Sequence, residues 1–184
     1  MTQPVPTDAE LMVAHQAGDR AAFGLLVNRH ARKMWSVAVR TLGNAEDADD
    51  AVQEALEAAF KRAGSFRGRS AVSTWLHRIV VNACIDRMRH DRVRRTVPLP
   101  DAEPQAARRI DPAAELATRL AVDAALAELS VDHRIAVVLV DMEGWSVADA
   151  AQILDVRPGT VKSRCARGRA KLAVLLGHLR EEAG

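Results

Sequence analysis

The sequence predicts an all-α protein made of two small helical domains joined by a linker. Apolar residues recur every three or four positions along most of the 184 residues, and no stretch alternates as a half-buried strand does. The abundant alanines also favour helix. The periodicity stops near residue 96 and resumes near residue 113, and four of the seven prolines lie in 96–112. A proline-rich stretch without an apolar face is typical of a linker.

Helix-capping residues divide the first domain, residues 8–95, into four predicted helices. Asp8, Asp19 and Asn44 each stand before an apolar stripe and can cap the helix that carries it. The stripes run through Leu11 and Met12, then from Phe23 to Ala38, then from Ala48 to Phe60. A fourth, long helix follows the segment GSFRGRSAVS and carries a stripe from Val72 to Met88.

The second domain, residues 113–180, also divides at helix-start signals. Asp111 and Pro112 resemble a cap and first-turn pair, which predicts a helix from about residue 113. Ser130 and Ser146 are suited to begin two further helices, and Pro158 is suited to the first turn of the last one. We therefore expect the second domain to be all-helical.

The segment GWSVADAAQILDVRPGTVKSRCARGRAKL, residues 144–172, has the pattern of a helix-turn-helix. A three-residue turn, Asp155-Val156-Arg157, separates two short helices, and Val161 is placed to pack the second against the first. The second helix is basic, and no acid occurs from residue 156 to 180. Lys162, Ser163, Ala166 and Arg167 share a face suited to DNA bases, whereas Arg164, Arg169 and Lys171 lie to the sides and suit phosphates. A solvated basic face on an ordinary helix is the alternative.

An acidic helix precedes a basic one in the first domain. The stretch AEDADDAVQEALEAA carries six carboxylates and no base, and Asp50, Gln53, Glu54 and Glu57 lie opposite the apolar stripe. This pattern suits either a solvated helix or a docking face for a basic protein. A metal-dependent enzyme is a third interpretation, but the acids spread around the helix and no histidine joins them, so we expect no metal site.

The segment from Lys61 to Arg95 combines basic and aromatic residues. Ten Lys and Arg residues face two acids, with Phe66 and Trp75 interleaved, which suits opened or single-stranded nucleic acid. Gly68 allows the backbone freedom that a pocket for a flipped base needs. Trp75 is more typical of a hydrophobic core than of a base contact, and Asn82 suits either exposure to solvent or a hydrogen bond to a base edge.

Together these motifs resemble the extracytoplasmic function (ECF) sigma factors, small sigma-70-type initiation subunits of bacterial RNA polymerase. AEDADDAVQEALEAAF resembles the family's clamp-binding helix, and FRGRSAVSTWLHRIVVNACIDRMR its −10 recognition and melting segment. The helix-turn-helix resembles the family's −35 reader. The wording of these motifs is most similar to the actinobacterial sigma-M group.

The resemblance implies a role for each matching residue. The residues that match the core polymerase docking surface are Asp47, Asp50, Gln53 and Glu54. The residues that match the loop accepting a flipped −10 base are Phe66, Arg67, Gly68, Ser70 and Ala71; Trp75 is a further −10 DNA-binding residue, and Asn82 matches a polar position near the melting point. The residues that match the −35 reader are Thr160, Lys162, Ser163, Arg164, Ala166, Arg167 and Arg169. The sequence departs from the family at Ala166, where many members carry a larger side chain, and at Gly168, where Ala is usual. A glycine inside a helix costs about 1 kcal/mol.

The resemblance also implies partners. These are core RNA polymerase, through the clamp coiled coil and the β-subunit flap, promoter DNA, and an anti-sigma factor. We expect neither a cofactor nor catalysis. The N-terminus lacks a signal pattern and the longest apolar run, Ile135–Val140, is too short to span a bilayer, which favours a cytoplasmic protein. Cys84 and Cys165, far apart in sequence, are expected to be buried or incidental thiols in a reducing compartment.

Two alternatives remain at the level of the sequence. A helix-turn-helix repressor or activator without polymerase function would account for residues 144–180 but would leave the acidic helix and the segment 66–95 without a role. A metal-dependent nuclease would use the acids from Glu46 to Asp50.

Overall fold

A computed structural model describes residues 5–94 and 112–177 of the chain, and the described elements are helical. The elements are α1 (Asp8–Gln16), α2 (Arg20–Leu42), α3 (Ala45–Arg62), a 3₁₀ turn (Ala63–Ser65), α4 (Val72–Arg94), α5 (Pro112–Ala127), α6 (Val131–Val137), a π-helical turn (Val138–Met142), α7 (Val147–Leu154) and α8 (Pro158–Leu175). The predicted linker lies outside the described residues except for Pro112, which begins α5 as predicted. Asp111, its predicted cap, is also outside them. None of the helices in the described ranges combines the length and apolar character that crossing a membrane requires.

Capping side chains set the helix starts in the first domain, with one correction to the prediction. Asp19 and Asn44 cap α2 and α3 as predicted, because their side-chain oxygens accept hydrogen bonds from backbone N–H groups of the first turn. The cap of α1, however, is Thr7 rather than Asp8. Thr7 and Glu10 form a reciprocal capping box, and Asp8, already inside the helix, pairs instead with Arg29 and His30 of α2.

The first core lies between α1, α2, α3 and α4. Its centre consists of fully buried side chains from three of these helices, among them Leu26, Met34, Ala51, Leu76 and Val80. Small alanines on α3 let this helix pack closely against both α2 and α4. The acidic outer face of α3 therefore remains at the surface, between its two neighbours.

The helix-turn-helix forms as predicted in the second domain. Ser146 caps α7 by accepting from the N–H of Asp149 at 3.0 Å, and Asp155 makes the turn in a left-handed conformation with φ of 55°. Val161 is fully buried and packs α8 into the core shared with Ile153 and Leu139. These contacts fix the direction in which α8 presents its outer face.

Gly168 lies inside α8 at the point where this helix passes close to α6. The close approach leaves little room for a side chain at this position. A Cβ atom on Gly168 would lie 2.6 Å from Cγ2 of Val137, a buried and conformationally stiff side chain. The packing therefore explains why this chain has glycine at a position where the sequence alone indicates only a loss of helix propensity.

We expect Gly168→Ala to lower the free energy of unfolding by up to about 2 kcal/mol, because overpacking costs about 1–3 kcal/mol and the gain in helix propensity offsets about 1 kcal/mol. Gly159→Ala on the same helix is the matched control, since a Cβ there meets nothing within 4 Å. It should leave stability unchanged or slightly raised. Urea unfolding measures both, and a stabilised Gly168→Ala variant would contradict this account of the packing.

The two domains pack against each other in this structure. Val37 of α2 and Val81 of α4 join the core of the second domain, and α4 lies along α7. Polar contacts accompany them: Arg134 donates to the carbonyl of Thr41 at 2.8 Å, and Glu143 accepts from Ser36 at 2.6 Å and also pairs with Arg40. The observed conformation is therefore a closed one, with α4 in the interface.

Candidate nucleic-acid interface

The outer face of α8 carries the side chains predicted to read duplex DNA. Lys162, Ser163, Ala166 and Arg167 are all exposed, while Val161, Cys165 and Gly168 on the opposite side are buried. This division follows from the helical period, and it leaves the four residues together on solvent-facing surface. Because α8 begins at the turn after α7, its N-terminal half projects as a major-groove reading helix does.

The flanking arginines of α8 are held by acids of the same domain. Arg164 pairs with Asp132 of α6 at 2.9 Å, and Arg169 pairs with Asp141 of the π-helical turn at 2.7 Å. To contact a DNA phosphate, either arginine has to leave its carboxylate partner or bind the carboxylate and the phosphate together. These acids are 28 or more residues away in sequence, so charge counting along α8 does not reveal them. Thr160 is half-buried, and its carbonyl accepts from the Ser163 hydroxyl at 2.9 Å.

The loop between the 3₁₀ turn and α4 gathers the residues predicted to capture a base. Phe66 and Trp75 lie with ring centroids 5.3 Å apart, both half-buried against the first core. Arg67, Gly68 and Ala71 are exposed and Ser70 is half-buried. Gly68 has a φ of 66°, a left-handed conformation that favours glycine. The loop thus presents a curved, exposed backbone beside an aromatic pair.

Asn82 lies apart from this loop. Ten residues into α4, it stands about 15 Å along the helix from Val72 at 1.5 Å per residue. It is exposed and lines a cleft of about 550 Å³ between the two domains, with Arg62, Arg89 and Arg164. The structure therefore places the predicted −10 residues in two locations rather than in one pocket.

The predicted docking face on α3 contains an ion-pair network that the sequence did not reveal. Arg87 of α4 pairs with Asp47 at 2.6 Å, Asp50 at 2.7 Å and Glu54 at 3.7 Å. Burial alone would lower the pKa of Arg87, yet its hydrogen bonds to Asp47 and Asp50 raise it above the ordinary value. The acids are therefore partly neutralised and held in place, and Gln53 is exposed alongside them.

Trp35 of α2 adds an aromatic side chain beside this acidic face. Its indole N–H donates to Asp49 at 2.7 Å, and the residue remains 40% exposed. Trp35 is not among the residues for which the sequence predicts a role.

A second aromatic contact lies in the interface between the two domains. The ring centroids of His77 on α4 and Trp145 lie 4.7 Å apart, and Nζ of Lys33 lies 4.2 Å from the centroid of the same indole ring. His77 is fully buried, and its Nδ1 lies 2.8 Å from the carbonyl of Ser73. Burial, reinforced by the charges of His30 and Lys33, lowers the pKa of His77 to about 4.

This burial predicts a loss of stability in acid. The folded protein keeps His77 neutral down to about pH 4, whereas the unfolded chain takes up the proton near the ordinary value of 6.5. The unfolded state therefore binds more protons in this window, and His77 should lower the free energy of unfolding by up to about 1.4 kcal/mol per pH unit as the pH falls.

The measurement is chemical unfolding between pH 6.5 and 4 for the natural protein and for His77→Phe. The phenylalanine variant should lose the part of the pH slope that His77 contributes. Equal slopes for the two proteins would contradict the assignment.

Both cysteines are buried thiols, as predicted. Cys84 is in the first core, where burial raises its pKa to about 12. Cys165 on α8 donates to the carbonyl of Ala136 at 3.4 Å, and burial raises its pKa as well. Across residues 5–94 and 112–177, no group of three or more His, Cys, Asp or Glu side chains is arranged to hold a metal ion.

Comparison with known proteins places both domains in one family. A family model described as Sigma-70 region 2 matches residues 26–94, and one described as Sigma-70, region 4 matches residues 119–172. The ECF RNA polymerase sigma factor SigM of Mycobacterium tuberculosis is 54% identical, with 94% of this chain and 86% of the relative covered. The RNA polymerase sigma-H factor of Pseudomonas aeruginosa is 34% identical, with 96% and 97% covered.

Two solved structures have a similar fold. CnrH, in complex with the cytosolic domain of CnrY, matches with a TM-score of 0.71 and 31% identity over 93% of this chain and 97% of CnrH. The sigma factor RpoE of Bartonella quintana, in complex with the anti-sigma factor NepR, matches with a TM-score of 0.68 and 27% identity over 84% of this chain and 96% of that one.

Proposed function

Because this chain belongs to the ECF sigma factors of the sigma-70 family, close to the sigma-M group, we propose a specific division of labour between its surfaces. As a sigma factor, the protein gives RNA polymerase its promoter specificity at initiation. In our proposal, residues 8–95 dock on the core enzyme and capture the −10 element, and residues 113–180 read the −35 element. The intervening residues 96–112 act as the tether.

The observation that carries the −35 assignment is the outer face of α8. Lys162, Ser163 and Arg167 are exposed together on a helix whose inner side is fixed in the core by Val161 and Cys165. A rigid helix that presents donor side chains can enter the major groove, where an arginine can bind a guanine bidentately. Ala166 leaves room on this face for a thymine methyl group or for a neighbouring side chain.

The base-capture loop supports the −10 assignment. Phe66 and Trp75 form the floor of an exposed loop, in which Gly68 takes the left-handed conformation and Arg67 supplies positive charge. An unpaired base bound there remains out of the duplex, so base capture offsets the few kcal/mol that unpairing costs. On this proposal the chain acts by binding alone, without a cofactor and without catalysing bond changes itself.

The acidic surface of α3 and the complexes formed by the solved relatives support the partners that we propose. The acids of α3 suit a basic protein surface, which we assign to the clamp coiled coil of core polymerase, and we assign the β-subunit flap to the second domain. The solved relatives CnrH and RpoE are each in a complex, RpoE with an anti-sigma factor. We propose that this chain also has an anti-sigma partner and acts in the cytoplasm, where that partner can hold it at the membrane.

Promoter binding requires the closed conformation to open. Elements about 25 base pairs apart lie roughly 85 Å apart along B-DNA. In the structure α4 and α7 are instead in contact, joined by the Arg78–Asp155 ion pair and by His77 against Trp145. The 17 residues from 96 to 112 can span at most roughly 60 Å when extended, and the widths of the domains cover the remaining distance.

We therefore expect dyes on Asn28→Cys and Gln152→Cys, both exposed positions, to show high energy transfer in the free protein. Transfer should fall when polymerase and promoter are added. The buried native thiols Cys84 and Cys165 should label poorly. High transfer that persists in a transcribing complex would contradict the opening.

The proposed function is tested by mapping transcription start sites after overexpression. Starts induced by the protein should share two sequence blocks, one near −10 and one near −35, at fixed spacing. Val13→Ala, an exposed position on α1, should keep both blocks. A single shared sequence block, at no fixed distance from the transcription start site, would favour a helix-turn-helix repressor or activator.

A further inference from the structure

We propose that Gln16, at the end of α1, is a positioning residue that holds the base-capture loop in its binding conformation. This inference rests on the proposed role of residues 66–71 and adds a residue from outside them. Gln16 also lies before residues 26–94, the range that the region 2 family model matches.

The side-chain amide of Gln16 bridges two carbonyl groups across a sequence separation of about fifty residues. Its Nε2 donates to the carbonyl of Ala63 at 2.8 Å and to that of Phe66 at 3.1 Å. An amide nitrogen has two hydrogens, and both are used here. Since both partners are oxygens, the contacts also identify which end of the amide faces the loop.

These carbonyls lie where the chain leaves α3 and enters the loop. The last carbonyls of a helix have no partner within the helix, and here the 3₁₀ turn and neighbouring side chains supply partners. Phe66 N–H donates to Ala63, Ser65 to the carbonyl of Arg62, and Arg67 to that of Gly64. Those bonds are all within the turn, whereas Gln16 connects the turn to another helix.

The helix that carries Gln16 is itself held in place at both ends. At its start Asp8 pairs with Arg29 and His30 of α2. At its end the ring centroid of His15 lies 4.9 Å from that of Phe23 and 5.1 Å from that of Phe60. His15, the residue before Gln16, is therefore packed against α2 and α3. Gln16 is therefore presented from a fixed support, and Trp75 holds the loop from the α4 side.

Loss of the Gln16 bridge should weaken base capture without removing it. Phe66 would keep its ring contact with Trp75, but its carbonyl and the turn before it would lose their connection to α1. A binding loop that must order itself on contact binds less tightly than a preformed one. We expect five- to tenfold weaker binding of a flipped base by Gln16→Ala.

The test uses holoenzyme, assembled from core RNA polymerase and each variant, with fluorescent single-stranded −10 oligonucleotides. One oligonucleotide carries the cognate base at the captured position and the other is abasic there. The ratio of their affinities isolates base capture from backbone contacts and from the fraction of folded protein. Gln16→Ala should reduce this ratio five- to tenfold, and Val13→Ala, an exposed position on the same helix, should leave it unchanged.

Two further variants distinguish positioning from simple destabilisation. Gln16→Lys retains donors that can reach both carbonyls and should keep most of the ratio, whereas Gln16→Glu has no donor and should lose it. An unchanged ratio in Gln16→Ala, with clear discrimination by the natural protein, would overturn the role of Gln16 alone. No discrimination by the natural protein would overturn base capture by this loop and this inference with it.

Discussion

Asp50→Arg should reduce the affinity of this protein for core RNA polymerase by about 100-fold, since close charge pairs at interfaces contribute about 1.5–7 kcal/mol. Asp50 is exposed on the outer face of α3, in the acidic surface that we assign to polymerase docking. The substitution replaces attraction by repulsion toward a basic partner. Competition binding with labelled natural protein measures the loss directly.

Two controls separate docking from indirect effects. Glu128→Arg makes the same change of charge at an exposed site outside α3, so it controls for net charge and should lower the affinity for core far less than Asp50→Arg does. In the natural protein Asp50 also pairs with Arg87 at 2.7 Å, so the double variant Asp50→Arg/Arg87→Asp restores an internal pair with reversed charges. If Asp50 contacts the polymerase, the double variant stays weak. Full recovery of binding would show instead that Asp50 acts only through Arg87.

Arg167→Ala should lose discrimination between a cognate −35 element and one changed at a single base pair, by about 1–3 kcal/mol or roughly 5- to 150-fold. Arg167 is exposed on the outer face of α8, and no ion pair to a described residue holds it there. Its guanidinium is thus available for a bidentate contact to a base edge. Duplex binding by holoenzyme, measured for each single-base variant, maps the position that it reads.

Arg169→Ala provides the contrasting case on the same helix. Arg169 is paired with Asp141 at the side of α8, where a phosphate contact is expected. Its removal should weaken all −35 sequences alike and lower the salt dependence of binding by about one unit in log–log slope. If Arg167→Ala showed this uniform behaviour too, Arg167 would be a phosphate contact rather than a reader of sequence.

Local signals were sufficient to predict the helices of this protein. Asp19, Asn44 and Ser146 cap the helices they were expected to cap, since a cap depends on residues within one turn. The start of α1 was assigned one residue late, because Asp8 and Thr7 are both good caps. Only the position of Glu10, which completes the box with Thr7, distinguishes them.

Contacts between distant residues were not predictable in the same way. The pairing of Arg87 with the acids of α3 joins positions about 40 residues apart, and charge counting had grouped Arg87 with the bases of the DNA-binding segment. Gln16 carried no signal at all, because a glutamine at a helix end suits solvent equally well. The packing between domains also depends on shape complementarity between α4 and α7, which periodicity does not encode.

Gly168 shows how a local rule and a distant contact can disagree. Helix propensity identifies a glycine here as unfavourable, whereas the close approach of Val137 on α6 makes it the residue that fits. The same helix therefore combines an inner side shaped by packing with an outer side free to vary for DNA recognition. Ala166, on that outer side, meets no such restriction and remains exposed.

Reconstituted transcription tests the central claim most directly. Purified core polymerase, this protein and a template carrying a promoter mapped by overexpression should yield RNA that starts at the mapped position. Asp50→Arg should abolish the transcript at limiting protein, and core enzyme alone should give none. Specific binding of the isolated protein to the template, without initiation when core polymerase is present, would contradict the account and would identify a DNA-binding regulator that lacks sigma activity.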